Sequence, residues 1–177
     1  MPPAKLPRPL RRVRRGQPFR AWSLCPTIDL EDGSCDSSAR WHSAGRRVLY
    51  VADSPSGALL EARVHLLAHP SRLPRGWRLH EISVPASASV AELSRASLPP
   101  RWKRRQRWSR ALGDAWHASG ASAVLRVPSA LVDDACNYVL NLEHPALARL
   151  RVVDGDEHVF DPRLFKALAR PGKSRSM

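Results

Sequence analysis

Sixteen prolines cut this chain into short segments, and they limit what it can fold into more than any other feature. Each fixes its own φ, lacks a backbone donor and pushes the preceding residue away from helical geometry. Elements therefore begin or end at prolines. Ser54-Pro55 reads as a helix start, with Ser as N-cap and Pro at the first position. The helix runs to about His69, where Pro70 stops it, and its apolar stripe is Leu59, Leu60, Val64 and Leu67. Pro85 closes a strand over 78–84, in which Leu79, Glu81, Ile82 and Val84 alternate roughly. Pro128 follows a buried strand over 123–127, and Asp161-Pro162 starts a short helix through Ala169.

Between these punctuation marks, residues 47–52 form a buried strand in this reading, and residues 137–141 and 150–153 are further strand candidates. Residues 102–118 have the pattern of an amphipathic helix. Trp108, Leu112, Ala115 and Trp116 share one face, Lys103, Arg107 and Arg110 another, and Gly120 ends it. Strands and helices mix without regular alternation, so the expected class is α+β rather than a doubly wound sheet.

The 177 residues fit one domain with a proper core. A division follows: a mobile basic arm over 1–17, the domain over 18–169 and a flexible tail over 170–177. No apolar run is long enough to span a membrane, and none follows the basic N-terminus as a secretory signal requires. The three cysteines, Cys25, Cys35 and Cys136, are an odd number without paired spacing, which points to a reducing, cytoplasmic setting.

The net charge of +13 is concentrated. Lys5, Arg8, Arg11, Arg12, Arg14, Arg15 and Arg20 share the first twenty residues, and Arg101, Lys103, Arg104, Arg105, Arg107 and Arg110 share 101–110. Neither stretch has an acid. The other sixteen Lys and Arg equal the sixteen Asp and Glu, so the body is balanced. Such patches suit nucleic acid, anionic ligands or an acidic partner, against the plainer reading of a solvated face and a loose tail.

Several residues are candidates for chemistry, each with an ordinary alternative. Glu61 lies mid-helix among Gly57, Ala58 and Val64, where a carboxylate is costly to bury without a partner; otherwise it is a helix-edge Glu reaching His65 or solvent. Arg40-Trp41-His42 pairs a cation with an aromatic, as phosphate recognition and stacking do, or is a loop cation. Arg20 follows Phe19 and reads equally as a surface cation. Tyr50 lies in an apolar strand, and a satisfied core Tyr is the alternative. Ser129 follows a strand end and either faces a cleft or caps a turn. Asn137 either binds a ligand or closes a turn. GxGxxG, GxxxxGK[ST], GxSxG and CxxC are all absent. His65 and His69 are four apart but lack the Glu of HExxH, so no metal site is expected. Cys136 has no basic sequence neighbour to activate it.

Taken in order, these fragments form a pattern. The run from Ser38 to Gly45, then Val48-Leu-Tyr-Val-Ala-Asp-Ser54, then Ala58-Leu-Leu-Glu61 and Val64-His65, resembles the first half of RES domains. Leu125-Arg-Val-Pro-Ser129-Ala, Asn137-Tyr-Val-Leu-Asn141, His144-Pro145 and Asp161-Pro-Arg163-Leu resemble the second half. The resemblance covers about residues 18–166. Its Arg, Glu and Ser match Arg20, Glu61 and Ser129 here, with Arg40 and Tyr50 at further site positions. Some members carry Tyr after the first Arg; this chain has Ala21 and then Trp22.

The resemblance implies a single domain similar to the ADP-ribosyltransferase fold, with mixed or antiparallel sheets and flanking helices. It implies a bacterial toxin of a toxin–antitoxin pair that cleaves NAD at the nicotinamide–ribose bond. Water, inorganic phosphate or a protein remain open as acceptors, so glycohydrolase, phosphorylase and ADP-ribosyltransferase all stand. NAD is then a substrate and no cofactor is expected. The implied partner is an antitoxin with a helix-turn-helix domain, which alone contacts DNA; a homodimer or larger toxin–antitoxin assembly is open. In this scheme Glu61, Arg20 and Ser129 are catalytic, and Arg40, Tyr50 and Asn137 bind NAD. The rival is a basic nucleic-acid-binding module without enzymatic activity, suggested by the arm and by Trp102-Lys-Arg-Arg-Gln-Arg-Trp108. Against it, Trp108 falls on the apolar side of its helix, and the rest of the chain is charge-balanced.

Overall fold

One twisted sheet of eight strands organises the domain. The computed structural model describes residues 5–13, 17–34, 36–66 and 74–165. The strands are β1 (Arg11–Val13), β2 (Phe19–Cys25), β3 (Val48–Ala52), β4 (Arg78–Val84), β5 (Val90–Glu92), β6 (Val124–Pro128), β7 (Cys136–Asn141) and β8 (Arg151–Val153). The helices are α1 (Pro55–Leu66) and α2 (Gln106–Ser119). The spatial order is β1-β5-β6-β7-β3-β2-β4-β8. Every neighbouring pair is antiparallel except β5 and β6. A parallel pair needs a crossover, and α2 supplies it. The result is a mixed α/β domain with a mostly antiparallel sheet and two helices.

The strand register sorts the core. On one face, Val48, Leu125, Val127 and Val139 pack against Leu112 and Trp116 of α2, while Leu24 and Ala52 pack against Ala58 and Ala62 of α1. The opposite face carries Ala21, Leu49, Val51, Ile82, Val84, Tyr138 and Leu140, closed by Leu147 and half-buried Ile28, Leu142 and Leu150. Both helices thus cover the same face, over different strands.

Most expected elements are present, with shifted ends. The strand over 78–84 matches β4, and those over 47–52, 123–127, 137–141 and 150–153 correspond to β3, β6, β7 and β8. Ser54 Oγ accepts the Gly57 N–H at 3.1 Å, the expected N-cap of α1. Gly120, at φ 56°, ends α2. The helix expected over 102–118 is split into a 3-10 turn at Trp102–Arg104 and α2 proper.

Four expectations are corrected. Of the expected stripe of α1, Leu59 packs half-buried on the core, but Ala58 and Ala62 are its buried residues, while Leu60 and Val64 are 42% and 44% exposed. Small residues let the helix sit close to the sheet, where branched ones would hold it off. Ala115 of α2 is exposed, and Ser109, Gly113 and His117 are buried instead. Residues 11–13, read as part of a mobile arm, form β1 against β5, with Leu10 buried behind it and Arg11 paired to Glu92 at 3.0 Å. The helix expected from Pro162 is a 3-10 turn at Pro162–Phe165. Leu67, His69, Pro70, Cys35, Ala169 and the tail over 170–177 lie outside the described residues. No strand was expected at β2, although it pairs along its whole length with β4.

Gly113 shows how tightly α2 is seated. A Cβ there would lie 1.8 Å from the Trp41 carbonyl oxygen. Gly→Ala within a helix gains about 1 kcal/mol of propensity, whereas overpacking costs typically about 1–3 kcal/mol. The clash is with backbone, which has little room to yield, so it wins. Gly113→Ala is expected to lower stability in urea denaturation; an unchanged or raised midpoint would show that the Trp41 backbone moves freely.

Candidate active site

The end of β3 and the start of β7 set the geometry. Asp53 follows β3, and its Oδ2 accepts the Cys136 N–H at 2.9 Å while its own N–H donates to the Cys136 carbonyl at 3.2 Å. Asp53 Oδ1 accepts the Ser54 hydroxyl at 3.2 Å, linking this clamp to the cap of α1. The register then places Asn137 opposite Ala52, on the face that α1 covers. Glu61 projects from α1 back to this point, and its Oε1 accepts from Asn137 Nδ2 at 2.6 Å. Glu61 is half-buried and therefore partnered, as a carboxylate beside Ala58 and Ala62 must be.

Tyr50 lies two residues before Ala52, on the same face of β3. Its hydroxyl accepts the Trp41 N–H at 3.2 Å and lies 2.8 Å from His42 Nδ1. His42 Nε2 lies 3.0 Å from the Ser34 carbonyl, which can only accept, so Nε2 carries the proton in this pairing. Nδ1 is then the acceptor, and the Tyr50 hydroxyl donates to it. Burial holds the Tyr50 hydroxyl well above the usual phenol range, so it stays protonated. With the hydroxyl committed on both sides, the ring is what Tyr50 can offer a ligand.

The loop that carries Arg40, Trp41 and His42 is fastened to α2. Arg110 Nε donates to the Ala39 carbonyl at 3.0 Å. Asp114 accepts the Ser43 N–H at 2.8 Å and the Ser43 hydroxyl at 2.6 Å. Trp41 is buried against Trp102 and Trp108, at ring separations of 6.1 and 6.4 Å. Arg40 donates through Nη1 to the Lys103 carbonyl at 3.0 Å, and its guanidinium lies 5.6 Å from the Trp102 ring centre.

Ser129 is buried, and its Oγ accepts from the N–H groups of Leu131 and Val132 at 3.1 and 3.2 Å. It caps a turn, the ordinary role weighed for it. Its own N–H donates to the Ala135 carbonyl, one residue before β7, so it stays beside the Asp53 clamp. Arg20, on β2, shares the Trp22 and Ala52 face by register, but it is exposed and pairs with Glu81 at 3.3 Å. The structure thus joins Glu61 to Asn137 directly, with Tyr50 on β3, which pairs with the β7 strand of Asn137, and Ser129 one residue beyond the end of β6. It turns Arg20 towards Glu81. Sequence reasoning did not single out Asp53 or Asp114 as site-building residues, and named His42 only within the Arg40-Trp41-His42 run. An Asp immediately before a Ser-Pro helix start was the available signal for the first.

The family pattern described as RES domain matches residues 9–161. The chain belongs to the RES-domain family. The match begins within the stretch read as an arm and takes in β1. The chain is 37% identical over 145 residues to a protein named Toxin Res from Pseudomonas putida, covering 81% of this chain and 98% of that relative. It is 33% identical over 140 residues to the Prs ADP-ribosylating toxin of a Sphingobium species, covering 76% and 84% of the two chains. A Toxin Res from Yersinia enterocolitica is 31% identical over 128 residues, covering 71% and 82%. No helix among the described residues is long and apolar enough to cross a membrane.

Removing the Tyr50 hydroxyl would strand two buried polar groups, the Trp41 N–H and His42 Nδ1. An unsatisfied buried group costs about 1–3 kcal/mol. Tyr50→Phe is expected to lower stability by that order in urea denaturation; a wild-type midpoint would mean that the hydroxyl does not hold this loop.

Proposed function

We propose that this RES-domain protein is a toxin that cleaves NAD at the nicotinamide–ribose bond, on a domain similar to the ADP-ribosyltransferase fold. The observation that carries this reading is the Glu61–Asn137 pair, a half-buried carboxylate held at 2.6 Å beside the strand that bears Tyr50. Breaking this bond develops positive charge on the ribose, as in glycoside cleavage. A fixed carboxylate stabilises that charge or accepts a ribose hydroxyl. Asn137 occupies Oε1 and leaves Oε2 for the sugar, so it orients the group.

The other residues fit binding roles. The Tyr50 ring, held by Trp41 and His42, packs against the nicotinamide. Arg40 has further N–H donors beyond the one given to Lys103, and a guanidinium suits the pyrophosphate. Ser129 accepts twice at its turn and keeps its own proton to donate to the ribose or carboxamide. Arg20 reaches the phosphates by leaving Glu81, and an exposed ion pair costs little to break. Water, phosphate or a protein side chain completes the reaction; the name of the Sphingobium relative favours a protein acceptor. In this reading the toxin acts in the cytoplasm and is held in check by an antitoxin bearing a helix-turn-helix domain.

Glu61→Gln keeps the shape and the Asn137 neighbour but removes the charge. Losing one interaction made mainly in the transition state costs about 10²–10³ in rate. The variant is expected to lose NAD consumption by that factor, followed by mass spectrometry with and without phosphate, while melting like the wild type. Wild-type NAD turnover by a folded Glu61→Gln protein would sink the reading.

A further inference from the structure

We propose that this protein also binds duplex nucleic acid directly, through a basic face made from its N-terminal segment and the 101–107 stretch. The two stretches are about ninety residues apart in sequence, but the core joins them. Leu6 and Leu10 pack in the same cluster as Leu98 and Trp102, and β1 lies along β5 with Arg11 opposite Glu92. Lys5, Arg8 and Arg12 from one stretch are exposed, as are Arg101, Lys103, Arg104, Arg105 and Arg107 from the other, whereas Arg11 projects with Glu92 to the opposite side of the sheet. Acids answer few of them: Lys103 pairs with Asp133. Among the described residues, Arg104, Arg105 and Arg107 pair with no acid. Elsewhere the chain balances its charges, so this uncompensated face is a local feature that costs self-repulsion in the free protein.

The composition of the face chooses among polyanions. A protein partner or a membrane needs exposed apolar anchors as well as charge. Among the described residues, the exposed large apolar ones are Leu30, Leu60, Val64, Leu131, Val132, Val153 and Val159, and none lies in the described part of either basic stretch. Single-stranded nucleic acid is held by bases stacked on aromatic rings. Trp102 is buried and Trp108 packs on Trp41, so neither ring is free to stack. What remains is a surface of guanidinium and ammonium groups, which fits the phosphates of a duplex without reading its sequence. The resemblance places DNA contact on the antitoxin alone; this face adds a contact made by the toxin itself. None of its cations is a candidate NAD-site residue, so the two activities separate experimentally.

The test is fluorescence anisotropy of a labelled random-sequence duplex of about 20 base pairs with the full chain, between about 50 and 200 mM salt. Arg104, Arg105 and Arg107 are replaced together by Gln. The wild type is expected to bind with a steep salt dependence. The triple variant is expected to have a log–log slope shallower by about 3, so that its loss of affinity across that salt range is roughly 40-fold smaller. Its NAD consumption stays at the wild-type level, which also reports that it is folded. The double replacement Lys5→Gln with Arg8→Gln tests the other half of the face, with an expected slope change of about 2. The proposal is overturned by no duplex binding at about 50 mM salt, or by slopes unchanged in both variants. Tighter binding to single strands, to anionic vesicles or to an acidic peptide of equal charge overturns it too.

Discussion

Glu61 and Asn137 meet because the Asp53 carboxylate ties the end of β3 to the start of β7. One side chain accepts the Cys136 N–H and the Ser54 hydroxyl, and so fixes the strand end and the helix start together. A hydrogen bond to a charged group contributes about 1.5–3 kcal/mol, more than most neutral ones. From this clamp the chain departs in two directions: α1 carries Glu61 back over the sheet, and β7 carries Asn137 beneath it. Ala58 and Ala62 then let the helix settle low enough for the 2.6 Å contact. Longer side chains there would lift Glu61 out of reach while leaving the sheet intact.

The second half of the site is held from the other helix. Arg110, Gly113 and Asp114 are successive contacts along α2 to the backbone of residues 39–43. That backbone delivers the Trp41 N–H and His42 Nδ1 to the Tyr50 hydroxyl. The Trp41 N–H is neutral and burial keeps the Tyr50 phenol protonated, so neither brings a charge into the network. Trp41 is therefore a structural wedge between α2 and the sheet rather than a stacking surface. The same packing removes Trp102 and Trp108 from any ligand, and leaves their sequence neighbours as exposed cations.

Cluster packing also explains why a basic segment belongs to the domain. Leu6 and Leu10 bury against the α2 side of the sheet, and β1 covers the edge of β5. An edge strand with exposed arginines is a common way to protect a sheet from pairing with another chain. The segment is thus both an edge cover and a source of positive surface.

Hydrophobic runs, prolines and caps were local signals, and by themselves they determined that β3, α1, β4, β6 and β7 exist and roughly where they end. The ordered fragments around Glu61, Tyr50, Ser129 and Asn137 likewise determined the family, because order along a chain needs no folding to be read. Three things were decided only in three dimensions. β2 and β1 depend on partners far along the sequence, since their own residues alternate too weakly to declare a strand. The buried side of α1 follows how closely a helix can approach the sheet, which favours its smallest residues, Ala58 and Ala62, over Leu60 and Val64. The pairing of side chains separates Glu61, held by Asn137, from Arg20, turned to Glu81, although α1 covers the sheet face that carries Arg20. Partner choice depends on distance and direction across strands, and neither is encoded within any one segment.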